Sequence, residues 1–243
     1  MVASGGGTFA FTAQTYGASY DVNTTSPTGQ TCLVINGYGA SLTASVTNVS
    51  VLCTTNTYVV SGSISGYITY GTRLALTLTD TSTSTVIQTL SSITSGATSF
   101  TFTSGVPYTH NWTVTVSTQS SGQYCSVTNG SGTNMLSAVT TVAVTCILLP
   151  AAPVATVTVN HGPLRVTLNW PAVSGASYYT VNRSNNGSVY TPICESNSPS
   201  TTSCTDTFST VADWVTSNYK VSACNLAGCN DAVPVAGVAT SNI

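Results

Sequence analysis

Six carboxylates (Asp21, Asp80, Glu195, Asp206, Asp213 and Asp231) and two histidines (His110 and His161) are the whole acid–base inventory of this 243-residue chain. Glycoside hydrolysis would need two of those carboxyls facing each other across a sugar bond. No two stand at a spacing that puts them on one strand face or in one loop. His110, just before Asn111-Trp112, reads as a solvated residue at a strand start, and His161, in Asn160-His-Gly-Pro163, as a turn residue. No stretch has the regular acidic spacing of a calcium loop. A non-catalytic protein with no cofactor and no metal is therefore expected.

Tyrosine is the plentiful ligand-capable residue, at 12. Tyr67 with Tyr70, Tyr178 with Tyr179, and Tyr190 could offer flat rings for stacking on sugars. The competing reading is strand packing, because tyrosine favours half-buried sheet positions. Asn-x-Ser/Thr sequons stand at Asn23, Asn48, Asn111, Asn129, Asn182 and Asn186, a number that a chain this rich in Asn, Ser and Thr reaches by chance.

The eight cysteines form no Cys-x-x-Cys pair and lie away from both histidines, which argues for disulfides over zinc and for an oxidising compartment. Nearest-neighbour pairing is expected: Cys32 with Cys53, Cys125 with Cys146, Cys194 with Cys204, and Cys224 with Cys229. Free buried thiols are the alternative. In the loop-entropy account each 21-residue separation contributes roughly 3 kcal/mol.

Positioning of these residues falls to sheet. Charged residues make up only 4% of the chain, against roughly a quarter in ordinary domains, while the apolar fraction stays near normal at 42%. β-branched and aromatic residues alternate with Thr throughout, a pattern that disordered Ser/Thr-rich chains lack. With a net charge of −2 and four basic residues (Arg73, Arg165, Arg183 and Lys220), no electropositive track for nucleic acid or an anionic membrane can form. The uncharged stretch 139–159 carries Pro150 and Pro153 and reads as a strand and a linker, not as a membrane insertion.

A shift of 93 residues takes Cys32 to Cys125 and Cys53 to Cys146, and the intervening stretches align without a gap. Val34/Val127, Asn36/Asn129, Gly37/Gly130, Gly39/Gly132, Val49/Val142 and Val51/Val144 are identical pairs. Such a period marks tandem modules. In the second copy, strands are expected at 59–65, 73–79, 85–90, 99–103, 112–117, 124–128 and 139–146. Seven short strands separated by turn residues predict an all-β chain of tandem immunoglobulin-like β-sandwiches.

The first copy is incomplete. Phe9 and Phe11 align with Phe100 and Phe102, and Tyr20 and Val22 with Trp112 and Val114, so the counterparts of about three earlier strands are missing. Phe9, Phe11, Tyr20 and Val22 would then form the acceptor core for strands supplied from elsewhere. Three sources stay open: sequence upstream of Met1, a neighbouring subunit, or local refolding. The tail 233–239 and the segment up to Thr12 are the candidate donors. Residues 1–7 show neither a basic start nor an apolar core, so either a leader has been removed or the chain is part of a longer one. The expected division is 1–56, 57–148 and 149–243, the last beginning at the stiff Pro-containing linker.

Val166-Thr-Leu-Asn-Trp170, Gly175-Ala-Ser-Tyr-Tyr-Thr-Val-Asn-Arg183 and Tyr219-Lys-Val-Ser-Ala-Cys-Asn225 with Gly228 resemble a fibronectin type III domain over about 153–243. The resemblance implies that Trp170 and Tyr219 lie in the core. The Ser/Thr-Gly-Gln-x-Cys entry and Val-x-Val-x-Cys exit of the repeat, over about 4–146, resemble repeats of large bacterial surface and secreted proteins, which implies extracellular spacing, adhesion or assembly. No Arg-Gly-Asp is present.

The function expected is that of a non-catalytic structural or adhesive protein at the cell surface or outside it, plausible as a self-assembling filament subunit joined by β-strand complementation. Its scarce lysines leave sheet edges weakly protected against self-association. The alternative is the accessory region, carbohydrate-binding or spacer, of a larger secreted hydrolase or adhesin. Expected partners are copies of itself or neighbouring domains of a larger chain, with polysaccharide as a third candidate.

Overall fold

The computed structural model describes residues 6–69, 71–162, 164–210 and 216–237. All regular structure among them is β-strand. No helix is long and apolar enough to cross a membrane among these residues.

Two sheets built from the second repeat face each other. One carries Ser131–Gly132, Trp112–Thr118, Ala75–Asp80 and Thr85–Leu90 in that order, and the other Gln123–Thr128, Val139–Leu148, Val60–Ser65 and Ser99–Thr101. Neighbours are antiparallel except Val139–Leu148 and Val60–Ser65, which run parallel. Alternation sends Leu76 and Leu78 inward from one strand and Trp112 and Val114 from the next, while Thr77, Thr79, Thr113 and Thr115 face outward. The core closes around Val60, Leu74, Phe102, Val142 and Val144. Six of the seven strands differ from expectation by one or two residues at one end or both, and only Thr85–Leu90 keeps its bounds. The strand expected from Arg73 begins at Ala75, and the one expected to reach Thr103 stops at Thr101, although Phe102 N–H still bonds to the Val60 carbonyl.

A second sandwich follows. Thr156–His161, Leu164–Asn169 and Ser203–Thr207 form one sheet, and Thr191–Ser196, Tyr178–Ser184, Asn218–Asn225 and Gly228–Asp231 the other, with Val235–Ala236 also on Asn218–Asn225. Trp170 and Tyr219 are both buried, and Trp170 packs on Tyr179 at 5.6 Å between ring centres. The Tyr219 hydroxyl donates to Asp206 Oδ2 at 2.9 Å, and Arg183 donates to the same carboxylate at 3.0 Å. Burial and that carboxylate raise the tyrosine pKa far above its ordinary value. The chain is thus an all-β protein of immunoglobulin-like β-sandwiches.

The joint between the sandwiches is hydrogen-bonded. Asn225 is buried and donates from Nδ2 to the Leu148 and Gly175 carbonyls, while its Oδ1 accepts from Ala227 N–H. Asn230 reaches the Pro150 carbonyl at 3.2 Å.

Residues 6–56 contribute to neither core. They form two small antiparallel pairs, Tyr20–Asp21 with Tyr38–Gly39 and Gln30–Ile35 with Ser50–Thr55. Asn56 ties them to the second repeat: its N–H donates to the Gly29 carbonyl and its carbonyl accepts from Tyr108 N–H, both at 2.9 Å.

Candidate functional site

The first copy carries an open groove, and its construction is legible against the second copy. In both, an Asn in the left-handed region (Asn36, φ 55°; Asn129, φ 54°) opens the connection between the cysteine-bearing strands. Each Asn donates its side-chain amide across that connection, Asn36 to the Asn48 carbonyl at 3.0 Å and Asn129 to the Thr141 carbonyl at 3.3 Å. Asparagine tolerates this backbone region and bonds locally, so the turn is encoded within a few residues. Three residues on, a glycine lets an aromatic ring lie against the backbone. A Cβ on Gly39 would stand 2.3 Å from the Tyr20 ring, and one on Gly132 2.7 Å from Trp112 Nε1. Tyr20 pairs with Gly39 as Trp112 pairs with Gly132.

The disulfides complete the likeness. Cys32 and Cys53 sit directly opposite in one ladder, and Cys125 and Cys146 do so in the other. All four bonds in the structure join nearest neighbours in sequence: Cys32–Cys53, Cys125–Cys146, Cys194–Cys204 and Cys224–Cys229. Cys194–Cys204 differs in kind, since it joins the two sheets of the last sandwich.

What differs is coverage. In the second copy Val60–Ser65, Ala75–Asp80 and Thr85–Leu90 close over the back half; among the described residues nothing does so in the first. A groove of about 890 Å³ results, lined by Phe9, Phe11, Tyr20, Val22, Leu42 and Val49. Phe9 and Phe11 meet edge to face at 5.7 Å between centres, as Phe100 and Phe102 do. Phe11 is 68% exposed where Phe102 is fully buried. The structure thus brings Phe9, Phe11, Tyr20 and Val22 onto one surface. Sequence reasoning missed Leu42 and Val49, although their 93-residue counterparts Met135 and Val142 are core residues and signal them.

The edges beside the groove are open as well. Ser50–Thr55 has one partner strand among the described residues, whereas Val139–Leu148 has two. Residues 46–49 belong to no strand, although their counterparts 139–142 do. Without the parallel neighbour that holds 139–145, no ladder extends the chain there.

The tyrosine platform is corrected by packing. Tyr67 is 3% exposed; its hydroxyl donates to the Ile93 carbonyl and accepts from Leu74 N–H. Tyr179 is 1% exposed and accepts from Val173 N–H at 2.7 Å. Neither ring can meet a sugar, because each fills its core and spends its hydroxyl on the backbone. Tyr178 is half-buried with its hydroxyl 3.9 Å from Cys229 Sγ, and Tyr70 lies outside the described residues. The Tyr190 ring is covered by the Lys220 ammonium at 4.6 Å.

His110, two residues before a strand, is about a third exposed but is paired rather than free. Its Nδ1 lies 2.6 Å from Oδ2 of buried Asp80, whose Oδ1 accepts from Ser82 N–H. Burial alone would raise the Asp80 pKa, but hydrogen bonds from His110, Thr83 and Ser82 and the histidine charge outweigh it, leaving the carboxyl below its ordinary value. Asp206 is held by Arg183 and Tyr219, and Asp231 accepts from Ser222 Oγ at 2.7 Å. Among the described residues no three His, Cys, Asp or Glu converge as a metal site.

The tail is partly committed to its own sandwich. Val235–Ala236 pairs with Asn218–Tyr219, and Val235 packs against that core. Residues 233–237 are therefore not a free donor strand; 238–243 lie outside the described residues.

No protein-family model matches the chain, and no curated protein matches it. Among solved structures it is similar to the FN1–FN3 domains of chicken contactin (CNTN1), with a TM-score of 0.30 and 13% identity over 76% of this chain and 66% of that one. The fold assignment rests on this chain's own sheets and cores.

Proposed function

We propose that this is a non-catalytic extracellular protein of structural or adhesive role, and that it assembles into a surface filament in which a neighbouring subunit supplies β-strands to the first repeat. The single observation that carries this reading is the groove over Phe9, Phe11, Tyr20 and Val22, where exposed aromatic and aliphatic side chains stand among polar ones such as Thr12, Gln14 and Asp21, flanked by open strand edges. Exposed apolar surface beside an unpaired edge is a standing invitation to strand addition. Four disulfides fit an oxidising, extracellular setting. Lysine and arginine, the residues that most often blunt such edges, number four. In this reading 1–56 is the acceptor half-repeat, 57–148 the complete repeat and 149–243 the fibronectin type III-like domain. A bacterial surface origin fits the repeat pattern.

The test is electron microscopy of the non-reduced full chain beside its Val49→Asp variant. A carboxylate in the groove cannot be buried unpaired, so fibres form from the wild type and not from the variant, while the second repeat unfolds at the same temperature in both. Fibres of equal length from the variant would remove the proposal.

A further inference from the structure

The groove's occupant is specified more narrowly than by apolarity, and the specification can be read from the strand that fills the same position 93 residues later. Val60–Ser65 lies parallel to Val139–Leu148, with Val60 opposite Val139, Gly62 opposite Val142 and Ile64 opposite Val144. Val60 and Ile64 point into the core and are buried. Gly62 cannot be replaced without moving backbone, since a Cβ there would stand 1.9 Å from the Val142 carbonyl oxygen. Gly66, at φ +71°, is under the same constraint, with its Cβ position 2.3 Å from the Cys146 carbonyl oxygen. Both obstacles are acceptor backbone atoms, and a main chain cannot be repacked as a side chain can.

The acceptor residues recur in the first copy. Val46, Val49, Val51 and Cys53 stand where Val139, Val142, Val144 and Cys146 stand in the second. The turn, the ladder and the disulfide between them are built alike.

Resting on the assembly reading above, we infer that the first repeat selects a strand of the pattern apolar-x-Gly-x-apolar-x-Gly. That strand is not this chain's own 60–66, which already fills the second repeat, and it runs parallel along 46–53, with its first glycine facing Val49 and its second facing Cys53. The two apolar residues seat over the groove among Phe9, Phe11 and Val22. The glycines let the backbones approach, which makes the site selective against ordinary β-branched strands of equal hydrophobicity. A following Leu-x-Leu strand, as Leu76 and Leu78 provide in the second copy, then covers the Tyr20 side. The seven-residue pattern occurs once in this sequence, at 60–66. Two other stretches meet the first five positions only: Ile64-Ser-Gly66-Tyr-Ile68, with Tyr70 at the seventh, and the tail, Val235-Ala-Gly237-Val-Ala239, with Ser241 there. The tail's Gly237 is already held by the Ser217 carbonyl.

The experiment uses the soluble full chain and two synthetic peptides of residues 58–90, one native and one carrying Gly62→Ala. Binding is followed by fluorescence anisotropy and located by hydrogen exchange. The native peptide binds saturably and slows exchange at 46–53, and the Gly62→Ala peptide binds more than about tenfold more weakly, a difference of about 1.4 kcal/mol. Absence of saturable binding, equal affinity for the two peptides, or protection at 139–146 alone would overturn the inference. The outcome is separable from the assembly reading: fibres without selective peptide binding reject the recognition rule, and selective binding by a chain that never forms fibres rejects the filament.

Discussion

Cys146 is buried and Cys53, its counterpart 93 residues earlier, is exposed; Phe102 is fully covered and Phe11 is mostly bare. Yet the two hairpins share their turn, their register and their disulfide. The difference separates two layers of folding information. Turn chemistry, cross-strand pairing and the cystine are local and build the hairpin without a core around it. Coverage is non-local and depends wholly on strands like Val60–Ser65 and Ala75–Asp80. An isolated two-stranded hairpin is marginal in water, and the cystine offsets part of that deficit by restricting the unfolded chain.

The sharpest way to break this comparison is to truncate equivalent aromatics. Phe102→Ala leaves a cavity in a closed core and costs about 3–5 kcal/mol, while Phe11→Ala, at an open surface, costs less than about 0.5 kcal/mol. Urea unfolding of the soluble chain reads both. Equal costs would mean that the groove is already closed in the free chain.

A smaller difference is electrostatic. The second repeat contains the Asp80–His110 pair, and the first has no such pair among its described residues. Because the Asp80 pKa is lowered in the folded state, its stabilisation is complete above the ordinary aspartate range and is lost as the pH falls through the folded value. Unfolding of the second repeat therefore becomes easier below about pH 4, and Asp80→Asn flattens that slope at a cost on the order of 1–3 kcal/mol at neutral pH. Thermal unfolding at pH 7 and pH 3 checks it; an unchanged slope in the variant would assign acid sensitivity elsewhere.

Much of this architecture was legible before any coordinates. Alternation of Leu74, Leu76 and Leu78 and of Trp112, Val114 and Val116 marks inward faces because a strand has period two. The 93-residue repeat let one copy annotate the other, which is how Phe9, Phe11, Tyr20 and Val22 were singled out. Tyr67 and Tyr179 were misread as possible platforms since composition cannot tell a tyrosine whose hydroxyl meets a backbone group from one facing solvent. The Asp80–His110 pair joins residues 30 apart in sequence and carries no local signature. The same is true of the Asn225 clamp on Leu148, which crosses from one sandwich to the last strand of the other.

The most direct measurement is amide hydrogen exchange at 46–55 beside 139–148, in dispersed protein and in fibres. In the dispersed chain 139–148 is protected and 46–49 exchanges fast; in fibres both segments are protected, because a parallel strand has been added to the first repeat. Fast exchange at 46–49 in fibres, or protection there already in the dispersed chain, would contradict strand complementation.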